Sequence, residues 1–508
     1  MTTERTTRAM LTRRSGILLH PSSLPGRYGV GELGPAAEEW LEFLAAAEQS
    51  VWQLLPLNPV GAEGCPYQSP ATLAGSPLYV SVDRLCDDGL LDAADLAAEP
   101  ELPGERVDYP GALAVKRRLL ARAHAAFTPT ADYRAFCRDQ AGWLDDYARF
   151  MVLRDRHGGP WTRWPGPLAR RDPAALARLD ESAADDLDRY RFEQYLFARH
   201  FGAVRARAAA LGVELIGDIA MFPGVDSVET WSRPDLFDLD ADGRPVAVAG
   251  FPPDEFSHEG QVWGNALYRW DRMAADDFAW WVARVRRMTE WYDMVRLDHF
   301  RGFLRYWAVP VPGRAGDGSW RDGPGLALFQ RLRKDLGEVT LLAEDLGPAS
   351  AEVQHLRVDA GIPGMRLVQF AFGGDENQHL PHHHPVDCVA YPGTHDNDTT
   401  LGWWAERSAD ERSRVERYLG GIADGICWSM ARAVFGSVAY LAVLPVQDLL
   451  ELGSEARLNV PGRADGNWTW RLPPRALSPG LEFRLRRLTE TYGRDRRAAS
   501  RRPSGFTG

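Results

Sequence analysis

The sequence contains few cysteines, no excess of basic residues and no long apolar run, and each shortage excludes a class of protein. The five cysteines are odd in number and form no Cys-x-x-Cys pattern, which argues against a disulfide framework or a zinc site. Acidic residues outnumber basic ones by 70 to 59, so no positive surface is expected for nucleic acid or an anionic membrane. The only apolar run near the N-terminus, Ile17-Leu18-Leu19, is too short for a signal peptide or a membrane span. We therefore expect a cytoplasmic protein with neutral or small partners.

Aromatic residues, by contrast, are plentiful. The chain has 508 residues, of which 45% are hydrophobic and 10% aromatic, with 18 tryptophans. This size is ample for a large buried core. Flat apolar rings stack well on sugar faces, although most aromatic side chains simply fill the core. The aromatic content is therefore weak support for sugar binding.

Eight apolar strand candidates alternate with helical patterns along the chain. They cover about residues 15–20, 51–55, 213–218, 293–298, 339–343, 365–370, 389–391 and 438–444. This alternation is typical of an α/β protein with a parallel sheet. We predict one (β/α)8 barrel over 14–493, with a mainly helical insertion at about 78–212 and a loop insertion at about 220–271, at the C-terminal face. Residues 1–13 and the basic segment 494–508 are predicted to be disordered tails.

Acidic residues close three successive strands. Arg296 and Asp298 are two positions apart, so their side chains project to the same face of one strand. Glu344 and Asp396 follow the ends of two later strands. A lone Arg-x-Asp is usually a buried ion pair. Because strand C-termini converge on one face of a barrel, where catalytic groups sit, we expect the three carboxylates to share a pocket.

With these acids in place, the chain resembles the 4-α-glucanotransferases, also called amylomaltases or disproportionating enzymes, of the α-amylase superfamily. The resemblance runs from about residue 16 to 472 in the order of its motifs. They are Pro66-Tyr67-Gln68-Ser69, Ile216-Gly217-Asp218, Phe237-Asp238-Leu239-Asp240, Val295-Arg296-Leu297-Asp298-His299-Phe300-Arg301-Gly302, Ala343-Glu344-Asp345-Leu346-Gly347, Gly393-Thr394-His395-Asp396-Asn397-Asp398-Thr399, Ser454-Glu455-Ala456-Arg457 and Gly466-Asn467-Trp468.

This resemblance implies a role for each acid. Asp298 would be the nucleophile, Glu344 the general acid/base and Asp396 the transition-state stabiliser. Retaining glycosyl transfer requires one ionised carboxylate and one protonated carboxyl, roughly 5 to 5.5 Å apart. We expect Arg296 to lower the pKa of Asp298, and neighbouring acids and poor solvation to raise that of Glu344. Asp345 should point to the opposite face of its strand and be structural.

The resemblance also implies how substrate is bound. It implies no cofactor, maltooligosaccharides and α-1,4-glucans as partners, and a lid at about 248–268 that excludes water on the acceptor side. The oligomeric state stays open. The implied substrate-binding residues are Arg296, His395, Tyr67, Asp218, Trp263, His299, Asn397 and Asn467. Tyr67, Trp263 and Tyr28 are sugar-contact candidates, with ordinary packing as the alternative, and Asp218 could be a positioning or structural acid.

Some features leave alternatives open. Ala62 stands where relatives commonly have an aromatic residue, so binding of long chains away from the reaction centre is in doubt. His379 and the adjacent His382, His383 and His384 resemble a metal cluster, but three adjacent side chains cannot all reach one ion, which favours a loop role. A hydrolase acting through the same three acids and a non-catalytic glucan-binding protein remain the alternative functions.

Overall fold

The structure is a computed structural model that describes residues 12–253, 258–347, 350–373, 377–463 and 465–496. Most of both predicted tails, residues 1–11 and 497–508, lies outside these ranges. Arg494 falls within the described part and is fully buried, where its guanidinium donates to the carbonyls of Phe435, Ser437 and Ala439. The ordered chain therefore continues past the predicted boundary at 493.

Twelve strands occur in the described residues. They are β1 (Arg14–Leu18), β2 (Val51–Gln53), β3 (Glu214–Ile219), β4 (Ala247–Phe251), β5 (Gln261–Ala266), β6 (Met294–Leu297), β7 (Arg305–Pro310), β8 (Ser319–Asp322), β9 (Leu341–Ala343), β10 (Gly364–Leu367), β11 (Cys388–Tyr391) and β12 (Leu441–Pro445). Eight of them form a parallel sheet in the order β10-β11-β12-β1-β2-β3-β6-β9. The Ala343 amide donates to the Pro363 carbonyl at 2.9 Å, which joins the two ends of this sheet. The predicted barrel of parallel strands is confirmed, and each of its strands overlaps a predicted one.

Helices surround this barrel. They are α1 (Pro35–Ala46), α2 (Val82–Asp87), α3 (Ala93–Ala97), α4 (Tyr109–Ala126), α5 (Ala131–His157), α6 (Gly166–Ala169), α7 (Pro173–Ser182), α8 (Ala184–Ala210), α9 (Val228–Ser232), α10 (Trp270–Ala275), α11 (Ala279–Trp291), α12 (Leu326–Leu336), α13 (Ala351–Asp359), α14 (Thr400–Ala405), α15 (Ala409–Leu419), α16 (Ile426–Gly436), α17 (Val446–Leu449) and α18 (Pro479–Thr491). The first begins with a proline and buries Trp40, Leu41 and Leu44 on one face, as an amphipathic helix should. Within the described ranges no helix is long and apolar enough to span a bilayer.

Asp345 holds the seam between β9 and β10. Its buried carboxylate accepts hydrogen bonds from the Met365 amide and the Gln354 side chain, both at 2.8 Å. The guanidinium groups of Arg357 and Arg366 lie 3.3 and 3.4 Å away. A buried carboxylate needs such partners to offset its desolvation. The expectation that Asp345 is structural is confirmed.

The predicted helical insertion includes a second hydrophobic core. Residues of α5, α7 and α8 pack together there with Trp161 and Trp164, which lie between α5 and α6, and with Trp231 on α9, which follows the insertion. The C-terminal half of α8, in contrast, packs on the barrel helix α11, where the Phe197 and Trp291 rings are 5.1 Å apart. The range 78–212 therefore contains both an outer helical cluster and one helix of the barrel ring.

The insertion predicted as loop contains two strands. The segments β4 and β5 join β7 and β8 in a second sheet of order β5-β4-β7-β8, all antiparallel, which we call the side sheet. The sequence analysis found none of these four strands. In β4 the first four residues are all buried, so it lacks the alternation that identifies a half-exposed strand. The side sheet stands beside the carboxyl ends of the barrel strands.

Candidate active site

The structure brings the three predicted acids to one cavity of about 590 Å³. Asp298, Glu344 and Asp396, which follow β6, β9 and β11, all line it. Trp263, on β5, lines it as well. Parallel strands explain this convergence, because their carboxyl ends open on the same face of a barrel. Carboxylates 46 and 52 positions apart in sequence thus face a common space.

Arg296 is shared by two carboxylates. In the register of β3 and β6, Arg296 lies directly opposite Asp218. Its Nη1 donates to Asp218 Oδ2 at 2.6 Å and to Asp298 Oδ1 at 3.1 Å. The three side chains form one cluster in which a single buried cation faces a buried acid, Asp218, and a partly exposed one, Asp298. The sequence analysis paired Arg296 with Asp298 alone, because cross-strand register is not visible in a single strand.

Burial reverses the predicted pKa shift of Asp298. Burial and the nearby charge of Asp396 raise the pKa of Asp298 above its ordinary value, although Arg296 acts to lower it. The prediction of a lowered pKa was wrong because it counted the cation and omitted desolvation. Burial also raises the pKa of Asp218, to about 7. Since the Asp298 side chain is 26% exposed and that of Asp218 is completely buried, we assign the negative charge of the pair to Asp298.

Glu344 has the surroundings of a proton donor. Its two carboxyl oxygens accept from the backbone amides of His299 at 3.0 Å and Leu346 at 3.1 Å. Burial, reinforced by the charge of Asp298, raises the pKa of Glu344 to about 8. Glu344 is therefore mostly protonated at neutral pH, in agreement with the predicted direction.

Tyr67, which lines the cavity, and His395, which lies beneath it, extend this network. The Tyr67 hydroxyl donates to Asp218 Oδ2 at 2.7 Å and lies 2.9 Å from His395 Nε2. Burial lowers the pKa of His395 to about 4, so its ring is neutral. Because the hydroxyl proton points to Asp218, we assign the ring proton to Nε2, which then donates to Tyr67. The two rings also stack, with centroids 5.6 Å apart.

Asn459 is a site residue that the sequence analysis missed. Its Nδ2 donates to Asp396 Oδ1 at 2.6 Å, while Arg457 Nη2 donates to the Asp396 carbonyl at 2.7 Å. Both contacts join the loop after β11 to the segment after α17 and orient Asp396 toward the cavity. The signal available in the sequence was the motif ending at Arg457, two residues upstream.

The side sheet provides one wall of the cavity. The Trp263 ring stands edge-on to His299, with centroids 4.8 Å apart. Gln68 Nε2 donates to the Trp263 carbonyl at 2.8 Å and to Asn265 Oδ1 at 2.7 Å, which ties β5 to the loop after β2. The described part of the predicted lid thus lies where it can restrict solvent, whereas residues 254–257 of that segment are outside the described ranges.

The remaining predicted site residues differ in whether they line the cavity. Asp218, Arg296 and His395 lie beneath the cavity lining and contact Asp298, Asp396 or Tyr67. Asn397 lies in a local turn, where its Oδ1 accepts from the Thr394 amide. Asn467 lines the cavity, but its side chain binds the Val460 and Arg463 backbone. Tyr28 is buried and is not part of this lining. His299 lines the cavity, and burial lowers its pKa to about 3.

The histidine group around residue 380 contacts its own loop and the neighbouring elements β10 and α15. His379 Nδ1 accepts from the Leu367 amide, and His384 Nε2 lies 2.9 Å from the His379 carbonyl. His382 Nδ1 lies 2.8 Å from the Tyr418 hydroxyl. Across the described residues no group of three or more His, Cys, Asp or Glu is placed to hold a metal ion. These contacts fit the loop role favoured from the sequence.

Known proteins match almost the whole chain. A family model described as 4-alpha-glucanotransferase matches residues 19–477. The chain is 46% identical over 501 residues to the 4-alpha-glucanotransferase of Thermus thermophilus, covering 95% of this chain and 99% of that protein. It is 42% identical over 499 residues to the one from Synechocystis sp., covering 96% and 99%. The solved amylomaltase from Streptococcus agalactiae in complex with acarbose matches with a TM-score of 0.92 at 32% identity, covering 95% of this chain and 100% of that one.

Proposed function

We propose a role for each of three carboxylates in this chain, which belongs to the 4-alpha-glucanotransferase family. The chain is an enzyme that transfers a segment of an α-1,4-glucan to the 4-hydroxyl of an acceptor glucose or glucan. The observation that carries the proposal is the contrast between two acids in one cavity: Asp298 accepts a hydrogen bond from a guanidinium, whereas Glu344 has its pKa raised to about 8.

In the first step Asp298 is the nucleophile. Its carboxylate attacks the anomeric carbon of the donor while Glu344 gives its proton to the departing 4-oxygen, so the glycosidic bond breaks as an ester to Asp298 forms. Asp396, held by Asn459, stabilises the positive charge that develops on the sugar ring. Arg296 is a positioning residue, because its contact with Asp298 fixes the direction of the attacking oxygen.

In the second step Glu344 acts as the base. It takes the proton of the acceptor 4-hydroxyl, which attacks the anomeric carbon and releases Asp298, so the linkage keeps its configuration. Water competes with the acceptor, and transfer prevails only if the site holds the sugar and excludes solvent. The Trp263 wall of the side sheet supports transfer over hydrolysis.

Maltooligosaccharides and longer α-1,4-glucans are the proposed substrates. The amylomaltase in complex with acarbose supports this class, because that complex belongs to a protein of the same fold at 32% identity. We also propose that the enzyme works in the cytoplasm, since its five scattered cysteines suit a reducing compartment. Glucose and maltopentaose formed from maltotriose, at constant total reducing ends, would identify transfer, whereas rising reducing ends would identify hydrolysis.

Chemical rescue tests the two catalytic roles separately. An Asp298→Ala variant, given α-maltotriosyl fluoride and azide, is expected to form the β-azide, because azide enters the face that Asp298 vacates. The matched Glu344→Ala variant is expected to form the α-azide, because its covalent intermediate still forms and azide needs no base. If Asp298→Ala gave the α-azide, or transferred from maltotriose at the wild-type rate, the nucleophile would be another group.

A further inference from the structure

We propose that the acceptor glucan leaves the cavity past Glu344 and is held at a remote site by Trp320 on β8. This inference rests on the proposed function, because it uses the assignment of Glu344 as the general acid/base. It adds a residue that selects acceptors by their length.

The position of the general acid sets the direction of the acceptor path. Glu344 protonates the oxygen that bridges the two halves of the donor, so the leaving half lies on the side of Glu344 that faces away from Asp298. An acceptor must place its 4-hydroxyl where that oxygen was. Binding sites for the rest of the acceptor therefore begin beyond Glu344.

Two small cavities continue from the main one in this direction. The first, of about 100 Å³, is also lined by His299 and Glu344, which it shares with the main cavity. The second, of about 150 Å³, shares Arg301 and Ser350 with the first and is lined by Trp320. The shared lining residues show that the three spaces adjoin one another in series, from the reacting acids to Trp320.

Aromatic rings follow the same series of cavities. The Phe251 ring on β4 is stacked 6.5 Å from Trp263 and stands edge-on 6.2 Å from Trp320. A pyranose has one face of C–H groups that covers an aromatic ring, while its hydroxyls need polar partners. Glu352 and Ser350, which line the same outer cavity as Trp320, can supply such partners.

Trp320 remains partly exposed although it packs against neighbouring side chains. It stands opposite Trp307 in the register of β7 and β8, with ring centroids 5.2 Å apart, and the Arg301 guanidinium lies 5.8 Å from its ring. Despite these contacts 41% of its surface remains accessible to solvent. Exposed aromatic area beside a series of cavities is surface that a sugar can bury.

The test compares acceptors of different length with one donor. The donor is α-maltotriosyl fluoride with its terminal 4-hydroxyl blocked, which cannot act as an acceptor, and the acceptors run from glucose to maltopentaose. In Trp320→Ala the ratio of the KM for maltopentaose to the KM for glucose is expected to rise about fivefold, because only the longer acceptor loses a sugar-aromatic contact. Trp320→Phe should restore most of the ratio, because the phenyl ring keeps a stacking face.

A matched control removes another exposed aromatic side chain. Phe483 on α18 is 61% exposed and lies outside all three cavities, so Phe483→Ala should leave the ratio unchanged. An unchanged ratio in Trp320→Ala, or an equal rise of KM for every acceptor, would overturn the remote site. If the wild-type enzyme transferred to no acceptor, the proposed function would fail first and this inference with it.

Discussion

Loss of the Glu344 proton is expected to limit the enzyme at high pH. Burial raises the pKa of Glu344 to about 8, and the group must be protonated to act in the first step. The contribution of the Glu344 proton to activity on natural donors is therefore fully present well below that value and lost as the pH rises through it. Above pH 8, kcat/KM for maltotriose should fall about tenfold per pH unit, because the protonated fraction falls by that factor.

Replacing the acid separates this effect from general inactivation. In Glu344→Gln the side chain keeps its shape but cannot donate a proton, so kcat for maltotriose should drop by roughly 10² to 10⁴. Fluoride leaves with little help from an acid, so the first step with α-maltotriosyl fluoride should survive. For the same reason, kcat/KM of the wild-type enzyme for the fluoride donor should not fall at high pH.

Initial rates with both donors between pH 5 and 10 provide the measurement. Release of fluoride is followed with an ion-selective electrode, and glucose released from maltotriose with a coupled assay. If Glu344→Gln lowered kcat/KM equally for the two donors, or if the alkaline decline of kcat/KM were the same for both, Glu344 would not be the proton donor. The raised pKa would then be a consequence of burial without a catalytic use.

Two further substitutions test the hydrogen bond that orients Asp396 and the hydrogen bonds that hold Arg494 against the barrel. Asn459→Ala removes the hydrogen bond to Asp396 Oδ1, so kcat/KM should fall on the order of ten- to a hundredfold with little change in the thermal midpoint; a fall in stability alone would refute the positioning role. Arg494→Leu leaves several buried carbonyls without a donor and should lower the free energy of unfolding by about 3 kcal/mol or more, measured in urea. The control is Arg487→Leu on α18, which breaks an exposed pair with Glu490 and should lower the free energy of unfolding by less than about 1 kcal/mol. Equal losses in the two variants would contradict the assigned role of Arg494.

The strands of the barrel could be found from local pattern, whereas those of the side sheet could not. Barrel strands are covered on both faces, so they read as short apolar runs closed by polar or glycine-rich segments, as 388–391 does. In the side sheet β4 is a run of small and apolar residues that also suits a loop, and β7 begins and ends with exposed residues. The pairing of β4 with β7, which joins the two halves of the side sheet, connects segments far apart in the chain, and local periodicity does not report it.

The sequence by itself determined which three acids meet at one end of the barrel. An acid that directly follows an apolar run must lie at a strand end, and parallel strands send all such ends to one face, so Asp298, Glu344 and Asp396 could be grouped without coordinates. Tertiary structure alone decided how those acids are charged. The pKa of a carboxyl depends on its burial and on neighbours across strands, so burial and the charge of Asp396 raise the pKa of Asp298, although Arg296, which Asp298 shares with Asp218, acts to lower it. The contact from Asn459 has the same origin, because a hydrogen bond between residues 63 positions apart exists only once the barrel has closed.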